Sequence, residues 1–160
     1  MKKLPYTEGS VFLVPLETGG YARGVVARST KKGKVIFGYF FGPRLASSDN
    51  VTWDDLDPAS AILRIRFGDL GLINHTWPIL GKIANWNREN WPMPDFVIRN
   101  DDMPVRLKPQ LVRYADDDPT RMEGVWIVDE DAVVGLTEQS MYGYGAVEGE
   151  LTDLLEQKAP

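Results

Sequence analysis

Residues 10–42, SVFLVPLETGGYARGVVARSTKKGKVIFGYFFG, carry the pattern that decides the fold of this chain. Two glycine-containing segments, 17–20 and 31–33, separate three largely apolar stretches. Glycines between apolar stretches favour tight hairpin connections, and the third stretch alternates along its length as a strand does. Residues 10–42 therefore predict three consecutive antiparallel strands.

The third predicted strand carries glycine on one of its two faces. Gly38 and Gly42 share a face with Ile36 and Phe40, because side chains two residues apart point the same way from a strand. A glycine inside a strand marks a bend or the close approach of another backbone. We therefore expect this sheet to bend strongly, towards a partial barrel.

Shorter apolar stretches after residue 60 predict further strands, and only the C-terminus has a convincing helical pattern. The strand candidates are 63–67, 77–83, 96–98, 111–114 and 125–128, with an acidic turn at 116–119. Apolar residues at 147, 151, 154 and 155 form one stripe of an amphipathic helix, which should dock on the sheet. The prediction is an α+β, β-rich single domain over residues 1–160: a strongly bent antiparallel sheet or partial barrel with a C-terminal helix.

Composition narrows the compartment in which the protein can act. The chain has 160 residues, of which 43% are hydrophobic, and it contains no cysteine. Without cysteine there is no disulfide and no thiolate metal ligand, which fits a reducing compartment. Residues 1–10 have no apolar segment of the secretory kind, and no run of 18 apolar residues occurs. We expect a cytoplasmic protein that does not span a membrane.

The net charge of −5 is distributed unevenly along the chain. Residues 1–48 hold 8 basic and 2 acidic side chains, whereas residues 49–160 hold 10 basic and 21 acidic ones. Binding of phosphates needs a surplus of Lys and Arg on one face, so nucleic acid is not an expected ligand. The acidic excess can steer a basic partner, or it can serve solubility alone.

No motif for catalysis, a metal or a cofactor is present. The chain has one histidine, His75, and no serine in a Gly-x-Ser-x-Gly turn. The three consecutive acids at 116–118 lack the alternating spacing of a calcium loop and are typical of a solvated turn. We therefore assign no catalytic residue, no metal and no cofactor, although paired carboxylates that meet only in the fold stay open.

Aromatic residues are concentrated between residues 77 and 96, where prolines are also frequent. Trp and Arg are over-represented at the energetic centres of protein interfaces, but a tryptophan is equally often a core residue. Residues 85–94 are typical of a proline-stiffened loop, so we predict Trp86, Arg88 and Trp91 as partner-binding residues. Trp77 and Phe96 are expected in the core.

Several motifs resemble one bacterial protein family. They are GSVFLVPL (9–16), GYARG (20–24), GYFFG (38–42), FGDLGL (67–72), WPILG (77–81) and WPMPDF (91–96), with thinner matches at 112–114, 117–119 and 142–148. Together they resemble the Immunity protein 26 family of bacterial polymorphic-toxin systems. The resemblance covers residues 4–98 best.

The resemblance implies a cytoplasmic bacterial protein that binds and neutralises a cognate toxin domain. It transfers no catalytic residue to this chain, and it leaves the identity of the toxin and the oligomeric state open. Similar proteins carry a phosphotriesterase label, so a small organophosphate hydrolase is the alternative. Such hydrolysis ordinarily needs a metal that activates water, and one histidine without cysteine offers few ligands for a transition metal. An all-carboxylate magnesium or calcium site stays open for this alternative.

Overall fold

The computed structural model describes residues 3–99 and 107–157, which form eight strands and two α-helices. The strands are β1 (Ser10–Pro15), β2 (Tyr21–Arg28), β3 (Val35–Leu45), β4 (Leu63–Gly68), β5 (Ile79–Lys82), β6 (Phe96–Ile98), β7 (Gln110–Ala115) and β8 (Asp118–Ile127). The helices are α1 (Leu70–Ile73) and α2 (Tyr144–Gln157).

The first sheet has five strands in the order β4-β3-β2-β1-β5, and all its pairs are antiparallel. Strands β1 to β3 are the three predicted strands, joined by the two predicted turns. Val25 of β2 pairs with Val11 on one side and with Tyr39 on the other, at the centre of the sheet. The sheet stays open, with β4 and β5 as its outer strands.

Both faces of the first sheet are buried. Ile36 and Phe40 of β3 point to one face and belong to a core that includes Val147 and Leu151 of α2. We call this the helix-side core. The predicted docking of the C-terminal helix on the sheet is thus confirmed, and burial of its apolar stripe holds it there.

The second sheet, β6-β7-β8, covers the opposite face of the first. Phe37 of β3 meets Phe96 of β6 edge to face, with ring centroids 6.1 Å apart, and Phe96 meets Tyr114 of β7 in the same manner. Val25 and Val112 belong to the same cluster. We call this the sheet-side core, and it joins the two sheets.

The glycines of β3 make room for neighbouring atoms, as predicted. A Cβ added to Gly38 would lie 2.8 Å from the Val25 carbonyl oxygen and 2.9 Å from the Phe67 ring. A Cβ added to Gly42 would lie 2.9 Å from Leu155 of α2. The predicted β-rich α+β class, with a bent antiparallel sheet and a C-terminal helix, is confirmed.

The acidic turn is shorter than predicted. Only Asp116 and Asp117 form the connection, because β8 begins at Asp118 and includes Pro119. A proline lacks the N–H that a central strand needs, but it is tolerated near the start of an edge strand. Strand β8 is such a strand, and its pairing with β7 is irregular beside Ala115.

Candidate functional site

The predicted binding loop, residues 85–94, leaves the first sheet after β5 and returns through one turn of 3-10 helix at Arg88–Asn90. Asn85 has a φ of 55° and takes the left-handed conformation that asparagine tolerates. The Asn87 side chain accepts a hydrogen bond from the Glu89 N–H at 3.1 Å and caps the turn. These two local features set the course of the turn within the loop.

The two tryptophans of the loop lie at different depths. Trp91 is 4% exposed and packs edge to face on Tyr39 and Phe41 in the sheet-side core. Trp86 is half-buried, with its ring centroid 5.5 Å from that of Trp91. Trp86 is thus available at the surface, and Trp91 supports it from below.

Trp77 and Phe96 are core residues, as the sequence indicated. Trp77 stacks on Phe12 in the helix-side core, and Phe96 lies in the sheet-side core. Both are fully buried. The prediction that Trp77 and Phe96 lie in the core is therefore confirmed.

Arg88 forms a two-pronged ion pair with Glu8. Its Nε donates to Glu8 Oε1 at 3.0 Å, and its Nη2 donates to Glu8 Oε2 at 2.5 Å. This hydrogen bonding raises the pKa of Arg88, and the nearby charges of Asp116 and Asp117 act in the same direction. Arg88 is therefore held in one orientation beside three carboxylates.

A buried arginine that the sequence reasoning missed joins this loop to the turn between β7 and β8. Arg28 is 1% exposed and donates to the carbonyl oxygens of Trp91 at 3.0 Å and Arg88 at 3.3 Å. It also donates to the Asp116 carbonyl at 2.5 Å and to Asp116 Oδ1 at 3.2 Å. Arg28 is the last residue of β2 and follows a run of buried residues. A charged residue at this position was the signal by which the sequence could have identified it.

Each of the three consecutive acids has its own partner. Asp116 accepts from Arg28, Asp117 lies 3.3 Å from Arg121, and Asp118 Oδ1 accepts from Thr120. The bonds from Thr120 lower the pKa of Asp118. Together with Glu8, Trp86 and Arg88, Asp116 and Asp117 make a surface of one aromatic ring and paired charges, which we call the loop face.

A groove of about 520 Å³ is lined by residues of the loop and by residues 56–59. Three asparagines, Asn85, Asn87 and Asn90, line it beside the edge of Trp91. Asparagine side chains offer both a donor and an acceptor, the pair that a peptide backbone needs. The groove thus adds polar binding capacity to the loop.

The catalytic alternative gains no support from the described residues. His75 is exposed in the turn after α1, with a φ of 64°. Within residues 3–99 and 107–157, no group of three His, Asp or Glu side chains is placed to hold a metal ion. In the same part of the chain, no helix has the length and apolarity to cross a membrane.

A second exposed surface, also missed by the sequence reasoning, lies on β8. Val125, Trp126 and Ile127 are 40%, 45% and 72% exposed. The Arg113 guanidinium carbon lies 5.2 Å from the centroid of the Trp126 ring. The apolar pattern predicted this strand, but a pattern does not tell which strand ends at the edge of a sheet.

Comparison with protein families places the chain among immunity proteins. A family model described as Immunity protein 26 matches residues 7–104, more than half of the chain. The chain belongs to the Immunity protein 26 family. No match was found among the curated proteins or the solved structures.

Proposed function

We propose that this protein neutralises one cognate bacterial toxin domain by binding it directly. The observation that carries the proposal is membership of the Immunity protein 26 family over residues 7–104. We further propose that it acts in the cytoplasm, which the absence of cysteine from all 160 residues supports. Side chains that are already ordered support direct binding, and the loop face has such side chains.

The loop face supports a binding role because its side chains are ordered before any partner arrives. Arg88 is oriented by Glu8, and Trp86 rests on the buried Trp91. Pre-ordered side chains lose little conformational entropy on binding, so more of their contact energy appears as affinity. We propose Trp86 and Arg88 as direct contacts and Trp91 as the residue that supports them.

Charge supports a basic partner. Residues 49–160 hold 21 acidic against 10 basic side chains, whereas on the loop face each of the three carboxylates is paired with an arginine. Complementary charge mainly raises the association rate and discriminates against wrong partners. From the acidic excess of residues 49–160, the toxin is accordingly proposed to be rich in Lys and Arg.

The test begins with a search of the neighbouring genes for an encoded toxin domain; rescue of bacteria that express this domain is then measured together with the dissociation constant of the purified pair. We expect the parent to protect, and Trp86→Ala and Arg88→Ala each to weaken binding by about 2 kcal/mol, roughly thirtyfold. Arg44→Ala is the matched control, because Arg44 is exposed at the far end of β3 and donates only to the Thr18 carbonyl among the bonds described.

The outcomes separate the function from the surface. If the parent neither binds nor protects, the immunity proposal fails for that toxin. If the parent protects and both loop variants bind as the parent does, the loop face is not the anchor. Thermal unfolding of each variant distinguishes lost contacts from lost structure, which matters most for Trp91→Ala because Trp91 is a core residue.

We also propose that the chain folds as one domain. The sheet-side core contains Phe37 of the first sheet and Val112 of the second, so neither sheet can leave without exposing it. We expect one unfolding transition, with the same midpoint by far-ultraviolet circular dichroism and by tryptophan fluorescence. Two separate midpoints would contradict a single domain.

A further inference from the structure

The outer strands of the two sheets are protected to different degrees. The N–H of Gly68 at the end of β4 donates to the Tyr142 carbonyl at 2.8 Å, so β4 is covered by the chain before α2. Strand β6 is covered in the same manner, because Val97 bonds to Thr137 at 3.0 Å and to Gln139 at 2.9 Å. Strand β5 has only four residues and follows Pro78. Strand β8 has ten residues and pairs within the described sheets only with β7.

The ladder between β7 and β8 shows which backbone groups of β8 face outwards. The Val128 N–H donates to the Pro109 carbonyl at 3.1 Å, and the register continues as Ile127 with Gln110 and Trp126 with Leu111. Antiparallel residues alternate between bonded and non-bonded pairs. Trp126 therefore bonds to β7, whereas the N–H and C=O groups of Val125 and Ile127 point away from it.

The open backbone groups lie in an apolar stretch. Val125, Trp126 and Ile127 are exposed, and none of them is a charge or a proline. A break in regular pairing, which can protect an edge strand, occurs earlier in β8, where the register shifts between Met122 and Gly124. An edge strand without such protection is a template for pairing with another strand.

The charges around this edge select the occupant. Two exposed carboxylates flank the apolar stretch, Glu123 before it in β8 and Asp129 two residues after the end of the strand. If a second copy paired its Ile127 with Val125, Glu123 of each copy would face Asp129 of the other, and like charges directly opposite are destabilising. A strand with Lys or Arg at its flanks would instead place opposite charges beside Glu123 and Asp129, which is favourable.

We propose that residues 124–127 of β8 bind an extended, basic segment of the toxin as an added strand. This inference rests on the proposed immunity function and names the surface that selects the partner. The family match ends at residue 104, before β7 and β8 begin, so the edge lies in the part of the chain beyond the match. Closely related immunity proteins need such chain-specific surfaces to discriminate between toxins.

The experiment removes one outward N–H or blocks the edge, and measures binding to the purified toxin domain. Ile127→Pro deletes an N–H that makes no bond to β7, and Val125→Lys keeps every backbone group but places a positive charge on the edge. We expect each to weaken binding about tenfold or more, which corresponds to about 1.4 kcal/mol. Val134→Thr is the control, since Val134 is equally exposed and apolar but lies outside the strands; it should bind within about twofold of the parent.

Circular dichroism and thermal unfolding accompany each variant, and Val125→Lys decides the test if Ile127→Pro does not fold. If the parent protects cells while both edge variants bind as the parent does, the edge inference is wrong and the immunity proposal survives. If the parent does not bind the toxin, both fail. Light scattering that shows a dimer of the free protein, lost in Ile127→Pro, would assign the edge to a second copy and overturn the inference.

Discussion

The two sheets of this protein differ in how much of their surface is committed to the fold. The first sheet is covered on both faces, by α2 on one side and by the second sheet on the other. Strand β8 of the second sheet is exposed at Arg121, Met122 and Glu123 and again at 125–127. The first sheet is a scaffold, and the second carries surface that the fold does not use.

The family match covers the first sheet completely and the second sheet only in part. Residues 7–104 include every strand of the first sheet and β6, whereas β7, β8 and α2 lie beyond the match. Substitutions in the first sheet should therefore change stability, and substitutions along the edge of β8 should change binding. Matched substitutions of tryptophan and of arginine test this difference directly.

The largest expected difference is between two tryptophans. Trp77 is buried, stacks on Phe12 with centroids 5.6 Å apart, and donates from Nε1 to Glu148 at 2.9 Å. Trp77→Ala should lower the free energy of unfolding by about 3–5 kcal/mol. Trp126→Ala, on the exposed edge, should lower it by less than about 1 kcal/mol. Urea unfolding of the two variants measures both, and equal losses would contradict the division.

The second prediction concerns two arginines. Arg28→Met should lower the free energy of unfolding by about 2–4 kcal/mol, because the carbonyls of Trp91, Arg88 and Asp116 lose their donor. The carbonyls dominate this effect, since the Asp116 carboxylate is largely exposed. Arg121→Ala, which removes an exposed ion pair, should cost about 0.5 kcal/mol or less. A loss below 1 kcal/mol for Arg28→Met would show that the loop does not depend on this arginine.

The third prediction compares two glycines. A Cβ at Gly24 would lie 2.5 Å from the Phe12 ring, so Gly24→Ala should destabilise by about 1–3 kcal/mol through overpacking. Gly149 lies within α2, and the nearest atom to its added Cβ is Glu17 Oε1 at 3.6 Å. Gly149→Ala should stabilise by about 0.5–1 kcal/mol. Thermal unfolding measures whether each variant unfolds at a higher or a lower temperature than the parent. Shifts of both unfolding temperatures in the same direction would contradict the prediction.

The smallest effect is a pH dependence of the ion pair between Arg23 of β2 and Asp55 in the loop after β3. A hydrogen bond from Arg23 at 2.7 Å lowers the pKa of Asp55, whose side chain is 61% exposed. The folded pKa lies below the unfolded one, so the stabilisation is present above the unfolded value of about 4 and is lost as the pH falls through the folded pKa.

Because the carboxylate is solvated, Asp55→Asn should destabilise by about 0.5 kcal/mol at pH 7, and by less as the pH approaches about 2. Unfolding midpoints of the parent and of Asp55→Asn across this pH range measure the difference in their stability. The exposed Asp54→Asn is the control. A stability difference that grows as the pH falls would contradict a lowered pKa of Asp55 in the folded protein.

The sequence located the strands well because each carries a local signal. Glycine turns bracket β1, β2 and β3, and alternation marks β4. The prediction was least accurate at the acidic turn, 116–119. Proline and aspartate are typical of turns, and the sequence did not show that β8 lies at the edge of a sheet.

The candidate site was predictable only in part. The loop at 85–94 could be found from its prolines and aromatics, but the burial of Trp91 depends on Tyr39 and Phe41, which lie about fifty residues away in the chain. The contacts of Arg28 span up to 88 residues, and the open edge of β8 exists only because no other described strand pairs there. Such features belong to the tertiary structure and leave no local pattern.

Hydrogen exchange of the protein alone and bound to its toxin domain tests the division between the two sheets most directly. In the free protein the amides of Val125 and Ile127 should exchange fast, because they face outwards, while Trp126, bonded to β7, should exchange slowly. Binding should slow Val125 and Ile127 and leave β1 to β3 unchanged. Slowed exchange confined to the first sheet, with Val125 and Ile127 as fast as before, would contradict the account.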